Sequence, residues 1–262
     1  MAKIPVALQL YTVRDELAKD FQGTVRQVAQ MGYAGVELAG TGGLSAEALR
    51  DLLAETTLKP VGSHVGLNVF QQDLEGVIAF YQTVGAPFVG VPALPGELRN
   101  PAGFRQTAAA LNKIGAALQQ AGLTLYYHNH AFEFEVVDGV RGIDILLQET
   151  DPNLVKFECD VYWVQYAGED PAALIQAHAG RFPLIHLKDM VVSEGKRTFA
   201  EVGEGILDFP RIFAASEAQG VAWYIVEQDT CARPSLESAR LSLENLKKWG
   251  KVPARRACGR RR

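Results

Sequence analysis

Four of the five histidines in this 262-residue chain fall at the ends of short apolar runs, and acids and amides collect at the same places. Gln9 and Tyr11 close the first run, Glu37 the second, His64 the third, and His128 with His130 the fifth. Glu158 and Asp160, His186 and Lys188, and Glu227 and Asp229 close the last three. If the runs are strands, residues i and i+2 point the same way, so each pair shares one face. Two imidazoles and two carboxylates converging on one point suit a single divalent cation of the Mn²⁺, Zn²⁺ or Co²⁺ type. Imidazole nitrogen argues against a pure Mg²⁺ or Ca²⁺ oxygen cage. Lys188 near a cation and low-dielectric walls is expected to lose pKa and to serve as a base. His130, with an ordinary pKa near neutrality, is a second acid–base candidate. Gln9, Tyr11, Glu37 and His64 are expected to bind hydroxyl groups, Glu158 to face inward one layer below Asp160, and Trp163 to offer a stacking face. One polar strand end needs no function, since any strand must meet water. The group carries meaning only if the runs are strands of one sheet opening on one mouth.

The pattern between the runs supplies that condition. Apolar runs at 5–10, 35–38, 60–64, 88–92, 123–128, 155–160, 183–188 and 222–227 alternate with amphipathic segments. Those segments lie at 20–31, 45–56, 71–84, 101–121, 142–149, 171–180, 208–219 and 235–249 and read as helices. Start signals support several of them: Ser45 before Glu47 and Ala48, Asp170-Pro171, and Pro234-Ser235 before Glu237. Eight strand–helix units match a single (β/α)₈ barrel, whose chemistry gathers at the C-terminal strand ends. A doubly wound sheet would place a glycine-rich turn after its first strand, and Leu8-Gln9-Leu10-Tyr11-Thr12 has no glycine. The expected organisation is one barrel over 1–250 and a basic tail over 251–262. His178, inside a helical segment, reads as surface.

The charge is −4 overall, but the tail carries +6, which leaves −10 for residues 1–250. A body that acidic repels a phosphate backbone, so nucleic acid is not an expected partner. No run approaches the ~20 apolar residues of a membrane helix. Cys159, Cys231 and Cys258 form no CxxC pair, and the first residues carry no apolar leader, so a reducing cytoplasm is expected. Self-association stays open.

Seven segments carry a family resemblance: Leu8-Gln9-Leu10-Tyr11-Thr12-Val13-Arg14-Asp15, Gly32-Tyr33-Ala34-Gly35-Val36-Glu37-Leu38, Tyr127-His128-Asn129-His130, Cys159-Asp160-Val161-Tyr162-Trp163, His186-Leu187-Lys188-Asp189, Val202-Gly203-Glu204-Gly205 and Val226-Glu227-Gln228-Asp229. Through them, over about residues 4 to 249, the sequence resembles the sugar phosphate isomerase/epimerase family of xylose-isomerase-like TIM barrels. Related sugar epimerases and inosose dehydratases bind one metal through Glu, Asp, His and Glu on strands five to eight. The resemblance therefore implies Asp160, His186 and Glu227 as ligands, with His128 standing where those enzymes have glutamate. That departure lowers the charge of the site and removes one of the two acid–base carboxylates such epimerases use. Trp163 stands three residues after the aspartate, where tagatose-type epimerases carry histidine.

The implied enzyme acts on a sugar or other polyhydroxylated carbonyl compound. One divalent cation would chelate a carbonyl and a neighbouring hydroxyl and stabilise an enediolate. Lys188, His130 or Glu227 would remove the C–H proton. Reprotonation gives isomerisation or epimerisation, whereas loss of a β-hydroxyl gives dehydration of a keto-sugar or keto-inositol. A non-catalytic sugar-binding barrel is the third reading. The Gly203-Glu204-Gly205 loop lies where barrels hold phosphate but lacks a cationic clamp, with Lys196, Arg197 and Thr198 the nearest substitutes.

Overall fold

A computed structural model describes residues 3–252; the arginines and Cys258 of the expected tail lie outside the described residues. Eight strands form one parallel sheet: β1 (Val6–Gln9), β2 (Gly35–Leu38), β3 (Lys59–Ser63), β4 (Phe88–Val91), β5 (Thr124–His128), β6 (Val155–Asp160), β7 (Leu184–Leu187) and β8 (Trp223–Val226). Their order is β3-β2-β1-β8-β7-β6-β5-β4. The remaining seam, between β3 and β4, is spanned by a parallel bridge from His64 to Gly90, with the Val65 N–H donated to Gly90 O at 2.8 Å. The sheet is thus nearly closed, and the chain is a single (β/α)₈-type TIM barrel. Strands buried on both faces read as mainly apolar runs, and β1, β2 and β7 are buried at every residue, Gln9, Glu37 and His186 included.

Eight helices wrap this sheet: α1 (Phe21–Met31), α2 (Ala46–Thr56), α3 (Leu74–Val84), α4 (Pro101–Gln120), α5 (Gly142–Glu149), α6 (Pro171–Ala177), α7 (Phe209–Gln219) and α8 (Ser235–Lys248). Caps fix their starts. Ser45 Oγ accepts the Ala48 N–H at 3.3 Å, and Asp170 Oδ1 accepts that of Ala172 at 2.9 Å, with Pro171 opening α6. The Pro234-Ser235 start differs: no side chain caps α8, and Ser235 Oγ instead donates to Asp15 at 2.6 Å.

Two features depart from the alternation. The segment expected as one helix over 71–84 is two, Leu67–Gln72 and α3, because Asp73 caps the second by accepting the Gly76 N–H at 2.9 Å. Two hairpins, Val136–Val137 with Val140–Arg141 and Asp189–Ser193 with Lys196–Ala200, decorate the strand ends. Their turns, Asp138-Gly139 and Glu194-Gly195, all have positive φ, the type I′ signature. Among the described residues no helix is long and apolar enough to cross a membrane.

Candidate metal centre and substrate cavity

Neighbouring strand ends bring four ligand-type side chains together. His128 and Asp160 end β5 and β6, His186 pairs with Asp160 across β6 and β7, and Glu227 follows β8. One atom from each lies within 4.8 Å of the others, and all four residues are buried. For three of them the other polar atom is already engaged. Asp160 Oδ1 accepts the N–H groups of Tyr162 and Trp163 at 2.9 and 3.1 Å, which starts a short helix, Val161–Tyr166, and aims Oδ2 inward. His128 Nδ1 donates to Pro92 O at 3.0 Å, leaving the Nε2 lone pair toward Asp160 Oδ2 at 3.3 Å. His186 Nε2 lies 2.7 Å from Glu37 Oε2, and Nδ1 lies 3.0 Å from Glu227 Oε2. Two nitrogens and two carboxylate oxygens, held by outer partners and facing one another, fit a divalent cation.

Lys188, just beyond β7, reaches the same point. Its Nζ lies 2.9 Å from Asp160 Oδ2, 2.7 Å from Glu227 Oε2 and 2.8 Å from Asp229 Oδ2. Burial works to lower its pKa, but the three carboxylates together outweigh burial and hold it well above the ordinary lysine value. With these neighbours the group stands as an ammonium; the expected lowering, which invoked a nearby cation, does not arise from the protein's own groups. The same contacts keep Asp160, despite burial, down to about 2, and Glu227 well below the usual range. Asp189, the other acid beside Lys188, turns away. Its carboxylate accepts the N–H groups of Gly203, Gly205 and Leu207 at 3.0, 2.9 and 3.1 Å. The donors of the Gly-Glu-Gly loop are thus spent inside the protein.

A cavity of about 360 Å³ opens above this centre, lined by Tyr11, His64, His128, His130, Glu227 and Asp229 among others. Tyr11 and His64, expected to bind hydroxyl groups, line this cavity. Gln9, Glu37 and Glu158 do not line it; all three are fully buried. Gln9 Nε2 donates to Glu37 Oε2 at 2.6 Å, the Tyr126 hydroxyl donates to Glu37 Oε1, and Glu158 Oε2 lies 3.0 Å from His64 Nε2. Glu158 is one layer below Asp160 as expected, and the acids found there hold imidazoles. Trp163 is half-buried against the His130 ring, with centroids 5.4 Å apart.

His130 Nδ1 is buried with no partner among the described residues. Burial, then His128 and Lys188, push its pKa down to about 2, so the imidazole is neutral. Its place is fixed by Glu133, a residue the sequence reading did not single out. Glu133 Oε2 accepts the backbone N–H of His130 and Oε1 accepts the Tyr127 O–H, both at 2.7 Å. Burial raises the Glu133 pKa to about 7 in spite of those bonds. Asp229 was also passed over as the partner of Lys188, although its i+2 spacing from Glu227 was the available signal. A larger groove of about 890 Å³ lies at the opposite end, beside Pro5, Ala34, Lys59 and Trp223. Arg26 and Glu55 on its wall pair with each other at 2.8 Å.

Residues 25–249 match the family described as the xylose isomerase-like TIM barrel. The chain is 30% identical over 135 residues to an inosose dehydratase of Geobacillus thermodenitrificans, a match covering 45% of each chain. It is 32% identical over 154 residues to an inosose dehydratase of Clostridium perfringens, covering 52% of this chain and 51% of that one. The chain thus spans about half the length of the curated relatives it matches. A solved structure of a sugar phosphate isomerase/epimerase from Parabacteroides distasonis superposes with a TM-score of 0.83 at 25% identity, over 95% of this chain and 100% of that one.

Proposed function

The chain belongs to the xylose isomerase-like TIM-barrel family, and from that premise we propose that it is a divalent-metal-dependent dehydratase of a polyhydroxylated ketone, of the keto-inositol or keto-sugar class. The observation that carries the reading is the buried group His128, Asp160, His186 and Glu227 beneath an open cavity, with the Lys188 ammonium on the same carboxylates. A cation of the Zn²⁺, Mn²⁺ or Co²⁺ type held there supplies Lewis-acid polarisation of a substrate carbonyl and its neighbouring hydroxyl.

The chain's own residues then divide the proton transfers. Dehydration needs an acceptor for the proton on the carbon beside the carbonyl and a donor for the β-hydroxyl. The C–H bond breaks, C=C forms, C–O breaks, and the oxygen leaves as water after taking a proton. His130, on the cavity wall, is the proposed acceptor, and the Lys188 ammonium, on the carboxylates beneath it, is the proposed donor. Glu227 remains a second acceptor. Tyr11 and His64, on the cavity wall, orient hydroxyl groups.

Epimerisation or isomerisation is the second reading, supported by the likeness to the Parabacteroides enzyme. A symmetric pair of acid–base carboxylates would favour it, and His128 stands in the place of one of them. The similarity to inosose dehydratases supports the first. A panel of keto-inositols and ketoses in deuterated solvent separates the two. Dehydration releases a product lighter by one water, read by mass spectrometry. Deuterated but otherwise intact sugar would establish the second reading, and a panel with neither outcome would sink both.

A further inference from the structure

We infer that Glu37 is the positioning residue of the metal centre: by accepting the Nε2–H of His186 it turns the Nδ1 lone pair of that ring toward the ion. The inference rests on the metal-centre reading above and adds to it a residue that touches neither ion nor substrate. Glu37 is fully buried and faces three donors. Gln9 Nε2 and His186 Nε2 lie 2.6 and 2.7 Å from its Oε2, and the Tyr126 hydroxyl donates to Oε1. A carboxylate only accepts, so Nε2 on Glu37 carries hydrogen. Nδ1, 3.0 Å from Glu227 Oε2 and 3.9 Å from Asp160 Oδ2, is the nitrogen whose hydrogen a cation between those oxygens would replace.

Glu158 is the control that the structure supplies. It also lies 3.0 Å from His186 Nε2, yet it has a donor of its own in His64 Nε2, likewise at 3.0 Å. Two buried carboxylates thus face two imidazole N–H groups, and Glu37 has the shorter contact to His186. Without its charge, His186 gains the freedom to donate through Nδ1 to Glu227 and to withdraw the lone pair from the centre. The same four residues, Glu37, His64, Glu158 and His186, also lie close enough to hold an ion of their own, and Glu158 Oε1 has no partner among the described residues.

The test uses the zinc-loaded full chain. Zn²⁺ affinity, read by chelator competition, should weaken about 10–100-fold in Glu37→Gln, the usual loss when an outer partner of a ligand is removed. Glu158→Gln should keep the wild-type affinity. In ¹⁵N spectra of the zinc-loaded wild type, Nε2 of His186 should be protonated and Nδ1 metal-bound; this measurement decides the matter even if Glu37→Gln does not fold. Unchanged affinity in folded Glu37→Gln, or an unprotonated Nε2, would overturn the inference and leave the metal centre standing. Two zinc ions per chain, one of them lost in Glu158→Gln, would also overturn it. A wild type that takes up no Zn²⁺ would bring down the metal reading and this inference together.

Discussion

At its lower end the barrel lumen is closed by Ala7, Val61, Tyr126, Leu184 and Ile225, packed against Phe88 and Trp223. Its upper end holds His128, Asp160, His186, Lys188 and Glu227, every one of them buried and charged or ligand-type. Tyr126 joins the two, with its ring in the floor and its hydroxyl on Glu37. The ends obey different physics. In the floor, burial removes apolar area from water and favours folding. In the mouth, burial costs solvation, which is recovered only where each charge meets a partner. Changes in the mouth should therefore act on turnover and changes in the floor on stability.

The largest effect is expected for Asp160→Asn. Asparagine keeps an oxygen to cap the Val161–Tyr166 helix, so the barrel should still fold, with a lower melting temperature because a buried partner of Lys188 goes with the ligand charge. Turnover should fall by more than the roughly 10²–10⁴-fold contributed by an acid–base residue, because bound metal falls with it. Elemental analysis beside a melting curve checks this, and full metal content in the variant would remove Asp160 from the ligand set.

Lys188→Met comes next, with kcat lower by roughly 10²–10⁴-fold if the residue carries a proton. Its Nζ sits on the very oxygens of Asp160 and Glu227 offered to the ion, so ammonium and cation compete. Zn²⁺ affinity should accordingly stay level or tighten. Unchanged kcat would pass the donor role to another group in the mouth.

How much of this contrast was legible depended on distance along the chain. The eight alternations were plain because the buried strands are short, mainly apolar runs between amphipathic segments, and the strand ends could be read off directly. The partition of those ends into layers could not. Glu37 and Glu158 look like Asp160 and Glu227 in sequence, and only β6 register and the reach of His64 and Gln9 from other strands put them beneath the centre. The carboxylates that hold Lys188 as an ammonium were hidden for a related reason: they come from β6 and from beyond β8. Glu133 gave no signal because a buried carboxylate in a turn resembles a solvated one. The Asp138-Gly139 hairpin turn, by contrast, was readable and passed over.

Glu133 offers a sharper cut, since it lies near the mouth yet should act on stability. Its pKa is raised from 4.5 to about 7 by burial, so folding favours the protonated acid. Its contribution is therefore complete below the ordinary glutamate range and is lost as pH rises through about 7. The loss amounts to about 3 kcal/mol for a shift of this size. Glu133→Gln should match the wild type near pH 4 and exceed it above pH 8. Urea unfolding across that range reads the difference, and parallel pH profiles would refute it.

The smallest effect tests the floor. Gly90, in β4, pairs with Tyr126 of β5 and forms the bridge to His64 that spans the β3–β4 seam. A Cβ on Gly90 would sit 2.3 Å from Cε2 of the Tyr126 ring. The floor has no room to give, so Gly90→Ala should cost about 1–3 kcal/mol, as overpacking does. The urea midpoint should fall with its slope unchanged, while kcat and Zn²⁺ affinity of the folded fraction stay at wild-type values. Tyr126→Leu removes the ring and its hydroxyl together. If steric conflict is the cause, the double variant should be more stable than the two single costs predict, since the clash has gone. Additive costs would show that the glycine serves the seam rather than the ring. A drop in turnover at unchanged stability would mean that the floor and the mouth are one mechanical unit, joined through Tyr126 and Glu37.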